Sequence, residues 1–124
     1  MTAEPTRHSG RRVLLVEDEV MVAMYIEDIL GDLGCSVIGV AINLEQGLAL
    51  AHSANFDFAV LDINLGGQMS FPVADLLRQR NIRFLFISGY TSDALVEEYR
   101  NEVRLQKPIR IPDLTDAIAR LQLG

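Results

Sequence analysis

Glu17-Asp18-Glu19, Asp62, Ser88 and Lys107 are the residues of this sequence whose types and spacing could do chemistry, because each lies at or just past the end of a short apolar run. Three consecutive carboxylates beside apolar residues repel one another and raise one another's pKa unless a cation shares their space. Taken alone, such a triplet is more often a solvated acidic turn. Asp62 directly follows Phe58-Ala59-Val60-Leu61, and Asn64, Gly66 and Gly67 make the loop after it polar and pliant. A lone Asp there is more often a turn former than a nucleophile. Ser88-Gly89 pairs a hydroxyl donor with a residue whose missing Cβ lets a ligand approach the backbone. Lys107, as a lone lysine before a proline, is surface decoration; facing clustered carboxylates, it neutralises an anionic group bound beside Asp62. A cis bond at Pro108 would fix the loop that aims it. Together these residues make a nucleophilic carboxylate, a cradle for a divalent cation, a hydroxyl donor and an ammonium. Phosphoryl transfer needs that set: Asp62 attacks phosphorus to form an aspartyl phosphate, while Mg²⁺ (or Mn²⁺), Lys107 and Ser88 each meet one equatorial oxygen.

The set works only if the fold brings it together. Five apolar runs, Val13 to Val16, Val37 to Val40, Phe58 to Leu61, Ile82 to Ile87 and a weaker Val103 to Leu105, suit strands buried on both faces of a parallel sheet. Between them lie helical stripes. Val22, Ile26, Ile29 and Leu33 follow the 3.6-residue period and Gly34 stops it; Asn43 and Gln46 form a capping box before Leu44 and Leu48. Pro72 and Pro112 suit the first turns of two further helices, and Thr91 or Ser92 caps a fifth bearing Leu95, Val96 and Tyr99. Strict alternation predicts a doubly wound α/β fold, a five-stranded parallel sheet flanked by five helices. In a flavodoxin-like strand order of 2-1-3-4-5, the first and third strands are neighbours at the topological switch point, so Asp18 and Asp62 converge where ligands bind. One or two carboxylates plus a backbone carbonyl, completed by water, is how proteins usually hold Mg²⁺.

Composition bounds the rest. Eleven Lys plus Arg against 17 Asp plus Glu give a formal net charge of −6, and 49% of residues are hydrophobic. Surface scaling gives about 6,600 Å² folded against about 20,000 Å² unfolded, enough burial for a core without disulfides or a structural metal. The acidic balance disfavours sequence-independent nucleic-acid binding. Cys35 is the single cysteine, which excludes an intrachain disulfide and a thiolate metal cluster. No apolar stretch approaches a membrane span and no secretory signal is visible, so a cytoplasmic protein without membrane contact is expected. Residues 1–10 lack periodicity and read as a flexible tail, with one domain over 11–124.

Leu14-Leu15-Val16-Glu17-Asp18-Glu19, Leu61-Asp62-Ile63-Asn64-Leu65, Ile87-Ser88-Gly89 and Gln106-Lys107-Pro108 resemble, in order and spacing, the motifs of the CheY-like receiver domain of two-component response regulators. The resemblance implies that Asp62 is the phosphoacceptor, Glu17 and Asp18 the acidic pair for Mg²⁺, Asn64 a backbone metal ligand, Ser88 the switch hydroxyl and Lys107 the phosphoryl-binding cation. It implies a signalling domain that catalyses only its own phosphorylation and dephosphorylation. Phosphate would come from a phosphohistidine on a sensor histidine kinase or phosphotransfer protein, and phosphorylation would switch binding of a downstream protein partner. Phe84-Leu85-Phe86-Ile87-Ser88-Gly89-Tyr90 is also similar to the string of the atypical FATGUY subset, with Arg83 where that subset often has Pro and Ile87-Ser88 in place of Ala-Thr. Most receivers carry a Tyr or Phe three residues before the lysine; this chain has Arg104. Tyr90 or Arg104 is therefore expected to report phosphorylation in place of that aromatic, unless Tyr90 only packs on the next helix. Asn64 and Tyr90 also occupy positions that in this family tune the phosphoryl lifetime.

Rival readings fit less well. A haloacid-dehalogenase-type enzyme wants a second Asp two residues after its nucleophile, where this chain has Asn64. A flavin or dinucleotide module wants glycines after the first strand rather than acids. A phosphorylation-independent receiver-like binding module, or a phosphate sink in a phosphorelay, remains open. After Pro108 one helix is expected, Asp113 to Leu123. That would make a single-domain regulator if this is the whole gene product, and leave the output elsewhere if it is a fragment. His8, His52, the methionines and Cys35 carry no functional expectation.

Overall fold

The computed structural model describes residues 10–89 and 97–123. Five parallel strands, β1 (Arg12–Val16), β2 (Ser36–Ala41), β3 (Phe58–Asp62), β6 (Arg83–Ser88) and β7 (Arg104–Gln106), lie in the order β2-β1-β3-β6-β7. Two short strands, β4 (Asn64–Leu65) and β5 (Gln68–Met69), form a separate antiparallel hairpin between β3 and the next helix. The helices are α1 (Val20–Asp32), α2 (Leu44–Ser53), α3 (Phe71–Gln79) and α4 (Ile111–Arg120). The sheet order is the predicted 2-1-3-4-5, with β6 and β7 as the fourth and fifth strands.

Alternation along the strands divides the interior in two. Val13, Leu15, Phe58, Val60, Leu85 and Ile87 face α1 and α4, where Ile26, Leu30, Leu114 and Ile118 cover them. Leu14, Val16, Ala59, Leu61, Phe84 and Phe86 point to the opposite side, against Val73, Ala74 and Leu77 of α3 and Ala51 of α2. β3 is buried at every residue and β6 at all but its first, which is why both read as continuous apolar runs. β7 is an edge strand with only Leu105 buried, which is why its run was the weakest. Full burial of each Leu, Ile or Phe contributes about 1.5–3 kcal/mol toward holding this sandwich together.

The helix starts follow the expected signals. Asn43 Oδ1 accepts from the Gln46 backbone N–H at 2.8 Å, while Gln46 Oε1 accepts from Ile42 N–H at 3.0 Å, one residue earlier than in the standard box. Prolines stand in the first turns of α3 and α4, and Gly34 follows α1 at φ 87°.

Two elements depart from expectation. Among the described residues four α-helices flank the sheet; of the predicted fifth, bearing Leu95, Val96 and Tyr99, the described part is a 3₁₀ turn, Glu97–Tyr99, and the rest lies outside the described residues with Thr91 and Ser92. The loop after Asp62, read as pliant, is a tight hairpin whose central Gly66 and Gly67 take φ of 64° and 101°. Two successive positive φ values are the signature of a type I′ turn, which glycine adopts without steric cost. Residues 1–9 of the expected tail, and Tyr90, lie outside the described residues. Among the described residues, no helix is long and apolar enough to cross a membrane.

Candidate functional site

The carboxyl ends of β1, β3, β6 and β7 meet at one end of the sheet. Val16 is in register with Leu61, so Glu17 and Asp62 leave adjacent strands at the same level. Backbone pairing continues past the strands on both sides: Glu17 N–H donates to Ala41 O at 2.9 Å, and Lys107 N–H to Ser88 O at 3.0 Å. These bonds hold the roots of the acidic triplet and the lysine. The peptide bond between Lys107 and Pro108 is cis.

The Lys107 ammonium lies 2.6 Å from Glu19 Oε1, 3.1 Å from Asp62 Oδ2, and 3.3 and 3.4 Å from the two oxygens of Glu17. Glu17 is fully buried, and Asp62, Ser88 and Lys107 nearly so. Asp62 Oδ1 accepts from Asn64 N–H at 3.1 Å, and Glu17 Oε2 from Glu19 N–H at 3.0 Å. Asn64 Oδ1 accepts from Gly67 N–H at 2.7 Å, bracing the hairpin that walls the site. The Ser88 hydroxyl donates to Leu105 O at 3.4 Å. A cleft of about 310 Å³ opens over this group, lined by Asp18, Glu19, Asp62, Asn64, the Gly66-Gly67 turn, Gly89 and Lys107.

The electrostatics are those of too many negative charges in a dry place. Carboxylate oxygens of Glu17, Asp18, Glu19 and Asp62 all lie within 4.8 Å of one another. Burial, then the neighbouring Asp62, pushes Glu17 up to about 8. Burial likewise raises Asp62, opposed by its contacts with Glu17 and Lys107. Burial alone would lower Lys107, but Glu19, Asp62 and Glu17 outweigh it and hold the ammonium well above its ordinary value. One ammonium cannot balance four carboxylates, and among the described residues Glu17 Oε1, though 3.3 Å from the Lys107 ammonium, is buried without a hydrogen bond. Crowded hard oxygens with an unmatched buried acceptor fit a divalent cation such as Mg²⁺. Glu17, Asp18 and Asp62 are the side chains placed to hold one, with Asn64 on the cleft wall beside them.

The structure thus gathers Glu17, Asp18, Asp62, Asn64, Ser88 and Lys107 as the sequence predicts. It does not gather Arg104, whose side chain is exposed at the start of β7, its Cα paired with Phe86 rather than with Ser88. The expectation of Arg104 as a reporter finds no contact to rest on among the described residues, and that of Tyr90 falls outside them. The buried aromatic on this flank is Tyr99, stacked on Phe71 at 4.9 Å and edge-on to Phe86, with its hydroxyl bonded to Asp75. Glu19 was missed as a site residue. Its signal was present in the acidic triplet, but only its place as the N-cap of α1 turns it toward Lys107. A larger cleft of about 490 Å³ lies at the opposite ends of β6 and β7, lined in part by Arg78, Arg83 and Arg120. Arg78 pairs there with Glu102 and Arg120 with Asp116, and Arg83 donates to Leu121 O.

The family model of the response regulator receiver domain matches residues 13–119, from within β1 to within α4. The chain belongs to the response regulator receiver family. This receiver is similar in structure to SdrG from Sphingomonas melonis, with a TM-score of 0.84 and 36% identity over 91% of this chain and 97% of that one. It is similar also to the response regulator PhyR from Brucella abortus, with a TM-score of 0.78 and 28% identity over 95% of this chain and 49% of that one. In sequence it is 27% identical to the transcriptional regulatory protein PdtaR of Mycobacterium tuberculosis over 87% of this chain. It is 33% identical to the phyllosphere-induced regulator PhyR of Methylorubrum extorquens over 69%. The receiver spans 55% of the length of PdtaR and 33% of that PhyR.

Proposed function

We propose that this receiver accepts a phosphoryl group on Asp62 from a phosphohistidine of a sensor histidine kinase or phosphotransfer protein, in the cytoplasm, and thereby switches binding to a downstream protein. The observation that carries the reading is the Lys107 ammonium held 3.1 Å from Asp62 Oδ2 at the mouth of a carboxylate cluster. An Asp62 oxygen attacks phosphorus as the phosphorus–nitrogen bond of the donor breaks, its electron pair returning to the imidazole. Asp62 is nearly buried, so the carboxylate attacks with little water around it. Lys107 receives one oxygen of the transferred group, and the Ser88 hydroxyl turns from Leu105 O to meet another. Glu17, Asp18 and Asp62 would hold a divalent cation, whose positive charge would let an anionic donor approach.

The product carries about −1.5 to −2 charge where the carboxylate carried −1. Lys107 and Ser88 gain a stronger acceptor, which biases the segment after β7 toward a second arrangement. The domain acts as a phosphoacceptor, its catalysis limited to making and losing its own acyl phosphate. Borohydride reduction of phosphorylated protein followed by peptide mass mapping tests the assignment. Conversion of Asp62 to homoserine is expected; modification at Asp18 or Glu19 with Asp62 intact would contradict it.

A further inference from the structure

An ammonium has three N–H donors, and in this structure all three of Lys107 are occupied: by Glu19 at 2.6 Å, Asp62 at 3.1 Å, and Glu17 Oε2 at 3.4 Å. No donor is free for an arriving phosphoryl oxygen, so one acceptor must let go. The three are unequal in what release would cost. Glu17 and Asp62 side chains are 0% and 4% exposed, and freeing either leaves a buried carboxyl group without its partner. The Glu19 side chain is 52% exposed and can return to water. Its backbone is pinned meanwhile: Glu19 N–H donates to Glu17 Oε2, and Glu19 O accepts from Ala23 N–H in the first turn of α1. Only the arm is free to swing.

We propose that Glu19 is a positioning residue that restrains Lys107 in the unmodified protein and releases it when Asp62 is phosphorylated. The inference rests on the reading of Asp62 as phosphoacceptor. The added negative charge on Asp62 repels the Glu19 carboxylate and offers Lys107 a stronger, doubly charged acceptor, so the ammonium exchanges one partner for the other. Glu19 thereby sets part of the barrier to phosphorylation. Restraint by the shortest contact Lys107 makes keeps the site quiet until a donor is engaged.

The test compares initial rates of adduct formation with acetyl phosphate at saturating Mg²⁺, followed by intact mass. In that reaction Asp62 bonds to phosphorus while the phosphorus–oxygen bond breaks and acetate leaves with the electron pair. Glu19→Gln is expected to accelerate the wild-type background about fivefold, the upper range for a half-exposed ion pair, and to change nothing in a Lys107→Met background. Equal acceleration in both backgrounds would mean simple relief of repulsion toward the anionic donor and would overturn the proposal, as would no acceleration in either. A second arm needs no phosphorylation: the ¹H–¹⁵N signal of the Lys107 ammonium in the unmodified protein should shift, and exchange faster with water, in Glu19→Gln. An unchanged signal overturns the restraint. If wild type forms no adduct, the phosphoacceptor reading fails, and this second arm alone decides whether Glu19 holds Lys107.

Discussion

Asp18→Asn should stabilise the metal-free protein and abolish its stabilisation by Mg²⁺. Asp18 shares the cluster with three other carboxylates within 4.8 Å, yet the ion pairs of Lys107 run to Glu17, Glu19 and Asp62. Its charge is therefore repelled without a direct ammonium contact. At 4.8 Å two carboxylates repel by about 0.9 kcal/mol in water and about 3.5 kcal/mol at an effective dielectric of 20. Asp18 is half-buried, Glu17 is held largely protonated, and Lys107 offsets part of the rest, so a net gain of about 1 kcal/mol is expected. With a urea slope of roughly 1–3 kcal/mol/M, the midpoint should rise by about 0.3–1 M in chelator. Adding Mg²⁺ should raise the wild-type midpoint and leave the variant unmoved, reversing or closing the gap. Urea unfolding followed by circular dichroism, with chelator and with Mg²⁺, reads all four values. A variant less stable than wild type in chelator would refute the electrostatic reasoning. A variant that still gains from Mg²⁺ would remove Asp18 from the cradle.

Tyr99→Phe should cost about 1 kcal/mol in urea unfolding by losing the hydroxyl bonds to Asp75 and Phe71 O, and Tyr99→Ala about 3–5 kcal/mol by emptying the slot between Phe71 and Phe86. Gly66→Ala should cost about 1 kcal/mol from its φ of 64° alone, since an added Cβ would meet Asp18 Oδ2 only at an ordinary 3.7 Å; Gly66→Asn should cost less in the same assay. The Arg12 backbone N–H, bonded to Asp57 Oδ2 at 2.7 Å, holds the Asp57 carboxyl below its usual value. Its contribution is therefore present above about pH 4, near the unfolded-state value, and lost as pH falls through the lower folded-state one. Asp57→Asn should lower stability at pH 7 by about 0.5 kcal/mol after solvent screening and by nothing at pH 2, read as the difference between two urea midpoints.

Much of this molecule was legible because its chemistry sits where strands end. Asp62 and Lys107 are 45 residues apart in sequence, yet the rule that ligands bind at the carboxyl ends of a doubly wound sheet places them together once the apolar runs are found. β3 and β6 declared themselves by continuous burial, and α2, α3 and α4 by a cap or a proline. What was hidden depended on side-chain direction or on elements too short for a period. Glu19 reaches Lys107 because α1 starts at Val20 and its N-cap is extended, a detail of one residue's φ and ψ. The β4–β5 hairpin has two residues per strand, so Gly66-Gly67 read as slack where it is a tight turn. Tyr99 looked like one apolar position on a regular helix. Its burial comes from the aromatic faces of Phe71 and Phe86, which come from two separate elements. Arg104 was singled out by what it replaced, and its exposure at an edge strand follows from β7 burying only Leu105.

Intact mass after incubation with acetyl phosphate, for wild type and Asp62→Asn, each with Mg²⁺ and with chelator, tests the central claim most directly. One phosphoryl adduct on wild type, dependent on Mg²⁺ and absent from Asp62→Asn, is the predicted result. An adduct that persists in Asp62→Asn, or a wild-type protein that binds Mg²⁺ and takes up no phosphoryl group, would contradict it.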